Sequence, residues 1–355
     1  FLNSQTKKKQ SNSKNLNCYI GFFGYKLLCE NIGIKLPKQK TNNFYTGLFY
    51  QPLTKVSIRK KISIQSIRPN FRNIKINKKN YELLDKKFNL NLTLQQYSKL
   101  FKNFSKNIKQ GKTYQIKIAQ NYSKRGTINA IDLFWKLMRM NESPESFLIR
   151  DKNFNIISCS PETLILKKNN LIKTKPIAGT LRKTKNTNQK KALTFFRKNE
   201  KETKEHNMIV DMERNDLSRI CKPGSVKILR KKYVEEYKHL FHYVTSIQGI
   251  LKKKISIKNI IKSMMPGGSV IGCPKIKTLE LLNNQEKEDR NIFTGSFGYI
   301  KFNQDMKFNI IIRSILNYKN ISEISAASGV VLDSSAKKEF NENYIKAKSL
   351  LDLYK

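Results

Sequence analysis

Short polar blocks interrupt otherwise apolar runs at an ordered series of points between Glu205 and Lys346, and this series limits the fold more than any other feature of the chain. In order they are Glu205-His206-Asn207-Met208-Ile209-Val210-Asp211, Arg214-Asn215-Asp216, His242-Tyr243-Val244, and Pro266-Gly267-Gly268-Ser269 running into Gly272-Cys273-Pro274-Lys275. Gly298-Tyr299, Ile312-Arg313, Ser328-Gly329-Val330-Val331 and Glu339-Phe340-Asn341-Glu342 follow, closing on Lys346. Polar groups inside elements fit for burial must be paired or used, because stranding one away from water is costly. Two distant carboxylates, a histidine, an arginine and a lysine suit a divalent cation that holds an acidic substrate.

At 355 residues the chain is long enough for one large domain or two ordinary ones, and its 39% apolar and 10% aromatic content excludes a disordered protein. A net charge of +44 raises a nucleic-acid reading. The lysines, however, are spread almost evenly and accompanied by an excess of Asn and Ile, which share AT-rich codons. The charge therefore reads as nucleotide bias rather than as a binding patch. Zinc-finger spacings and aromatic RNA-binding signatures are absent, so no nucleic acid is expected as partner. The five cysteines (Cys18, Cys29, Cys159, Cys221, Cys273) are odd in number and form no CxxC pair, which argues against a disulfide framework or a zinc site. No apolar run approaches a membrane span, and the basic N-terminal stretch lacks the apolar core of a signal peptide. A cytoplasmic protein with no membrane association is the expectation.

Residues 1–17 read as a disordered basic tail, 18–91 as the remnant of an N-terminal subdomain plus linker, and 92–355 as the main domain. Thr93 with Gln96 three residues on predicts a capped helix whose stripe is Leu100, Phe101, Phe104 and Ile108, ending at Gly111. Strands are predicted over 115–120, 146–150, 155–159, 164–166, 225–229, 241–248, 296–302, 308–316 and 323–332. Helices are predicted over 187–217, 256–264, 274–286 and 337–353. Strands in groups with helices between the groups suggest an α+β fold with antiparallel sheets.

Several residues carry the chemistry. Glu342 and Lys346 share one helical face, a spacing that equally makes an ordinary surface ion pair. His242 lies in an apolar strand-like run, where a core histidine and a general acid or base look alike. The glycines around Ser269 form a loop entering a helix, a setting that lets backbone N–H groups approach an anion. Arg313 closes the run Ile310-Ile311-Ile312 and needs an anionic partner, for which a bidentate carboxylate is the natural choice.

With Tyr114-Gln115, Ala119-Gln120, Ser160-Pro161-Glu162 and Pro176-Ile177-Ala178-Gly179-Thr180 added, the blocks resemble those of the chorismate-utilising enzymes, particularly anthranilate synthase component I and aminodeoxychorismate synthase component I. The resemblance covers residues 111–353 strongly and 19–50 weakly, through Gly21-Phe22-Phe23-Gly24-Tyr25. It implies two large antiparallel β-sheets sandwiched together with helices outside, the substrate chorismate, and the cofactor Mg²⁺. Glu205 and Glu342 match the family's metal-binding glutamates, and His242 the histidine that assists loss of the ring hydroxyl and of pyruvate. Tyr299, Arg313, Ser328, Gly329 and Lys346 match the region holding the chorismate carboxylates; Ser269, Ala178 and Thr180 match positions beside the ring.

Two positions discriminate among the chemistries. Relatives that add water to the ring carry a general-base lysine where this chain has Gln115, so nitrogen is the implied nucleophile. Many aminodeoxychorismate synthases carry a nucleophilic lysine where Ala178 stands, and anthranilate synthases carry alanine. The expected activity is thus amination of chorismate and elimination of pyruvate to give anthranilate, at the head of tryptophan synthesis. The alternative is the aminodeoxychorismate branch of folate synthesis, to which Tyr114-Gln115 and Pro266–Ser269 are closer. A basic nucleic-acid-binding protein on a decayed enzyme scaffold is a further alternative. The resemblance also implies a glutamine amidotransferase subunit as ammonia source. The Leu-Leu-Glu-Ser stretch of tryptophan-regulated relatives is not visible, so insensitivity to tryptophan is expected.

Overall fold

In a computed structural model, which describes residues 16–34, 42–58, 60–67, 82–184, 186–237 and 240–354, long antiparallel strands carry the fold. The N-terminal tail up to residue 15, much of the 59–91 linker and His239 lie outside the described residues. The chain runs β1 (Cys18–Phe23), α1 (Tyr25–Asn31), β2 (Gly47–Tyr50), β3 (Thr54–Ile58), β4 (Ile62–Ser66), β5 (Glu82–Leu83), β6 (Asn89–Leu90) and α2 (Leu94–Lys109). It continues through β7 (Gln115–Thr127), α3 (Ala130–Met140), β8 (Glu145–Arg150), β9 (Phe154–Ser160), β10 (Thr163–Lys168), β11 (Leu171–Thr174) and β12 (Ile177–Arg182). Next come α4 (Gln189–Lys198), α5 (Glu200–Ile220), β13 (Lys227–Glu236), β14 (Leu240–Ile250), α6 (Ile257–Met264), β15 (Gly272–Cys273) and α7 (Lys275–Asn283). The last elements are β16 (Ser296–Lys301), β17 (Met306–Asn309), β18 (Ser314–Tyr318), β19 (Ile321–Val330) and α8 (Ala336–Leu351).

One sheet has nine strands in the order β12-β14-β11-β10-β17-β16-β1-β2, with β13 also on β14. The other has eight, β15-β7-β19-β18-β9-β8, with β5 and β6 on β7, and β3–β4 form a separate hairpin. The expected α+β class and the two large antiparallel sheets are present. Their inner faces meet through aromatic rings: Phe147 of β8 stacks on Phe297 of β16 at 3.8 Å, and Phe22 of β1 meets Phe154 of β9 edge-on at 6.4 Å. Helices cover the outer faces. α5 and α6 bury Leu217, Ile260 and Met264 with Ile165, Ile172 and Ile247 of the first sheet. α3 and α8 pack Leu133, Leu137 and Ala347 over Ile157, Ile315 and Ile324 of the second. Among the described residues no helix is long and apolar enough to cross a membrane.

Two predicted elements are corrected. The strand expected over 308–316 breaks into β17 and β18, because the N–H groups of Ile310 and Ile311 bond to Glu162 and Gly295 carbonyls, and Arg313 adopts φ 51°. The polar helix expected over 187–217 is two helices divided at Asn199, whose side chain leaves the helical ladder to accept from the Glu202 N–H. α3, β11 and β12 were not anticipated, and β7 runs on to Thr127.

Candidate active site

Alternation along β7 starts the site. Ile116 and Ile118 enter the core beneath α2, so Gln115 and Lys117 point to the opposite face. There Gln115 Nε2 and Lys117 Nζ both donate to Glu205 Oε1, at 2.9 and 2.7 Å. Glu205 sits on the second turn of α5, which starts at the Asn199 break. Gly329 of β19 pairs with Lys117, and a Cβ there would lie 2.5 Å from Gln115 Nε2 and 2.7 Å from Lys117 Nζ. A Cβ there would push the ends of both side chains out of place.

The first sheet contributes the other wall. Thr180 of β12 is paired with His242 of β14, and its hydroxyl lies 3.1 Å from His242 Nδ1. His242 Nε2 is buried with no hydrogen-bond partner. The 3₁₀ turn at Gly268–Val270 presents Ser269, which donates to Glu162 Oε1 at 2.8 Å. From α8, Glu342 and Lys346 form their ion pair at 2.7 Å, and Lys346 also donates to the Ala327 carbonyl at 3.1 Å.

These elements enclose a cavity of about 320 Å³. Ala178, Thr180, Glu205, His242, Ser269, Arg313, Glu342 and Lys346 line it, together with Lys117, Glu162 and Glu202. Gln115 and Gly329 stand behind the wall, holding Glu205 and Lys117. Tyr299 and Ser328 are not among the lining residues. Tyr299 is half-buried in β16 with the Lys301 ammonium 6.0 Å from its ring, and Ser328 donates to the Glu339 carbonyl on α8 at 3.0 Å. Arg313 bonds Asn141 Oδ1 at 3.4 Å rather than a carboxylate, so its full charge faces a cavity.

Electrostatics divide the wall. Burial alone would raise the Glu205 carboxyl, but the Lys117 charge and the Lys117 and Gln115 hydrogen bonds outweigh it and bring it down to about 2. Burial would likewise lower the Lys117 ammonium, and Glu205 reverses this and raises it. Both stay charged at neutral pH. His242 is lowered to about 3, by burial and then by the Arg313 charge, and is neutral there. Burial raises Glu162 to about 7 despite the Ser269 hydrogen bond.

Among the described residues no group of three or more His, Cys, Asp or Glu side chains is arranged to hold a metal ion alone. Glu202, Glu205 and Glu342 nevertheless line one cavity. Hard carboxylate oxygens from one or two residues, completed by water and an acidic substrate, are the usual Mg²⁺ set, so the donors fit that ion.

Sequence reasoning passed over Lys117 and Glu202, and took Glu162 only as part of a matching block, with no role of its own. Lys117 could have been found by the argument that singles out Arg313, since a cation at a period-two position between Ile116 and Ile118 of an apolar strand must face something polar. Glu202 carries no such signal on a polar helix.

Comparison with known proteins agrees with this geometry. The chorismate binding enzyme family model matches residues 1–352. Over 252 residues the chain is 35% identical to aminodeoxychorismate synthase component 1 of Bacillus subtilis (strain 168), covering 71% of this chain and 54% of that protein. Over 267 residues it is 32% identical to anthranilate synthase component 1 of Aquifex aeolicus (strain VF5), covering 75% and 54%. The crystal structure of anthranilate synthase component I from Streptococcus pneumoniae TIGR4 superposes with a TM-score of 0.85 at 25% identity, covering 99% of this chain and 84% of that one. The chain thus spans about half the length of the curated relatives it matches.

Proposed function

Because the chain belongs to the chorismate binding enzyme family, we propose that it aminates chorismate with ammonia and eliminates pyruvate to give anthranilate, using Mg²⁺ and a glutamine amidotransferase subunit as ammonia source. The observation that carries the choice of product is Ala178. It lines the cavity where a ring-attacking lysine would otherwise stand. The two lysines that do line the cavity, Lys117 and Lys346, each have their amine nitrogen engaged by a glutamate carboxylate, at 2.7 Å in both cases. Ammonia is left to attack the ring directly.

The residues divide the work by charge. Chorismate is a dianion, and the buried Arg313 guanidinium and the Lys346 ammonium are its natural carboxylate partners. Glu205 and Glu342 would hold Mg²⁺, which would supply Lewis-acid polarisation of the ring carboxylate. Thr180 fixes the His242 ring, with Nε2 left unpartnered for the substrate. The neutral imidazole must gain a proton before it can protonate the leaving hydroxyl. A dianion arriving beside it offsets the Arg313 charge and moves its pKa upward. Ammonia adds to the ring carbon next to the carboxylate-bearing carbon as the hydroxyl leaves as water. The neutral imidazole can then take the ring proton as the C–O bond to the enolpyruvyl group breaks. The departing enolate takes up the proton shed by the added ammonium nitrogen to become pyruvate. The five thiols are unpaired, which supports a cytoplasmic location.

The second reading is amination to aminodeoxychorismate, supported by the Tyr114-Gln115 and Pro266–Ser269 blocks. One assay with chorismate, Mg²⁺ and ammonium separates the two. Fluorescent anthranilate formed directly is the expected result, and a product that becomes aromatic only when a lyase is added establishes the second.

A further inference from the structure

The proposed reading gives Lys117 no task, yet its charge is the most tightly seated in the cavity. Its side chain is 9% exposed, and its ammonium lies 2.7 Å from Glu205 Oε1. The same oxygen accepts from Gln115 Nε2 at 2.9 Å, so both of its lone pairs are engaged by N–H donors. Gly329, across the ladder, keeps the space these side chains fill. A Cβ at that position would press on both the Gln115 amide and the Lys117 ammonium.

A hard cation that binds Glu205 meets two obstacles: one of the two carboxylate oxygens, Oε1, is already saturated with donors, and a fixed positive charge lies at contact distance. At contact distance, beside a half-buried carboxylate, such like charges repel. An acidic substrate brings the negative charge that makes two neighbouring cations tolerable. We propose that Lys117 is an internal counter-cation that competes with the divalent metal for Glu205, so that the free chain binds metal weakly and loads it together with its acidic substrate. This rests on Glu205 being a metal ligand, as the proposed function has it.

The test measures metal binding without catalysis. Free Mn²⁺ is titrated against the purified chain by electron paramagnetic resonance, with no chorismate present. Replacing the cation with a neutral side chain, Lys117→Met, is expected to tighten Mn²⁺ binding at least tenfold, while Lys117→Arg stays as weak as the parent. Should Lys117→Met fail to fold by circular dichroism, Lys117→Gln keeps a hydrogen bond to Glu205 without the charge and carries the same expectation. Neutral variants that bind no tighter than the parent, while Glu205→Gln abolishes what binding there is, overturn the competition and leave the ligand reading standing. Binding indifferent to Glu205→Gln overturns both.

Discussion

Glu205 and Glu342 share one chemistry but not one environment, and the difference decides what their removal does. Glu342 pairs with Lys346 on an open stretch of α8, with side chains 40% and 43% exposed. Such a pair adds little stability. Glu342→Gln is expected to cut chorismate turnover about a hundredfold or more, the scale seen when one electrostatic partner of a reacting group is lost, with the melting temperature nearly unchanged. Glu205→Gln leaves the Lys117 ammonium buried against a neutral amide, so it should lose turnover and on the order of 1–3 kcal/mol of stability as well. Near-normal turnover at saturating Mg²⁺ in either variant removes that residue from the metal site. Glu213 poses a different question. Burial and then the negative charge of Glu162 raise its carboxyl to about 8, from an ordinary value of 4.5. Between those pH values the folded chain holds a proton that the unfolded chain has released, so stability falls as pH rises through the window. Glu213→Gln is therefore expected to raise the melting temperature at pH 9 by on the order of 2 °C and to change it little at pH 5. An equal effect at both pH values places the cause in packing instead of ionisation.

At the scale of elements, what sequence reveals depends on whether the determinant is local. The α2 start was legible because the capping box is local: Thr93 Oγ1 accepts from Gln96 N at 3.3 Å, and Gln96 Oε1 accepts from Thr93 N at 2.8 Å. The antiparallel sheets were legible from strands that come in groups with helices between the groups, and much of the cavity wall from ordered polar blocks whose spacing had no local use. The break at Ile310–Arg313 was not, because the carbonyls that draw those N–H groups out of the ladder come from Glu162 and Gly295. The same holds for Tyr299 and Ser328, whose distance from the cavity depends on pairing register and on α8 packing, which no short motif encodes. Gly179 shows how an element holds the site. It sits in β12 with φ +90°, and a Cβ there would lie 2.8 Å from the Phe196 ring of α4 and 3.0 Å from Glu202 of α5. Gly179→Ala adds left-handed strain of about 1–2 kcal/mol and pushes on both helices. Lower melting temperature and lower turnover should appear together, and a variant unchanged in both contradicts this account of the strand.

For the whole molecule the decisive property is what nucleophile it can use. Glutaminase chemistry needs a thiolate activated by a base, and among the described residues no thiol is shifted toward the thiolate. Burial pushes the Cys29 thiol up to about 12 and Cys221 to about 11, and raises Cys18, Cys159 and Cys273 as well. Of the histidines, His206 is buried against the Thr245 hydroxyl at 2.6 Å and His242 lines the candidate active-site cavity; His239 lies outside the described residues. On the proposed reading the chain receives ammonia ready-made, and in neutral water nearly all of it is ammonium, which has no lone pair to attack with. Turnover of the isolated chain with ammonium salts should rise as pH increases from 7 to 9, in step with the free base. Glutamine in place of ammonium should give no product until a glutamine amidotransferase subunit is added, after which the dependence on raised pH should relax, because the nucleophile no longer comes from bulk solvent. Glutamine-dependent product from the purified chain alone would show that a thiol here is activated after all, and that no partner is required.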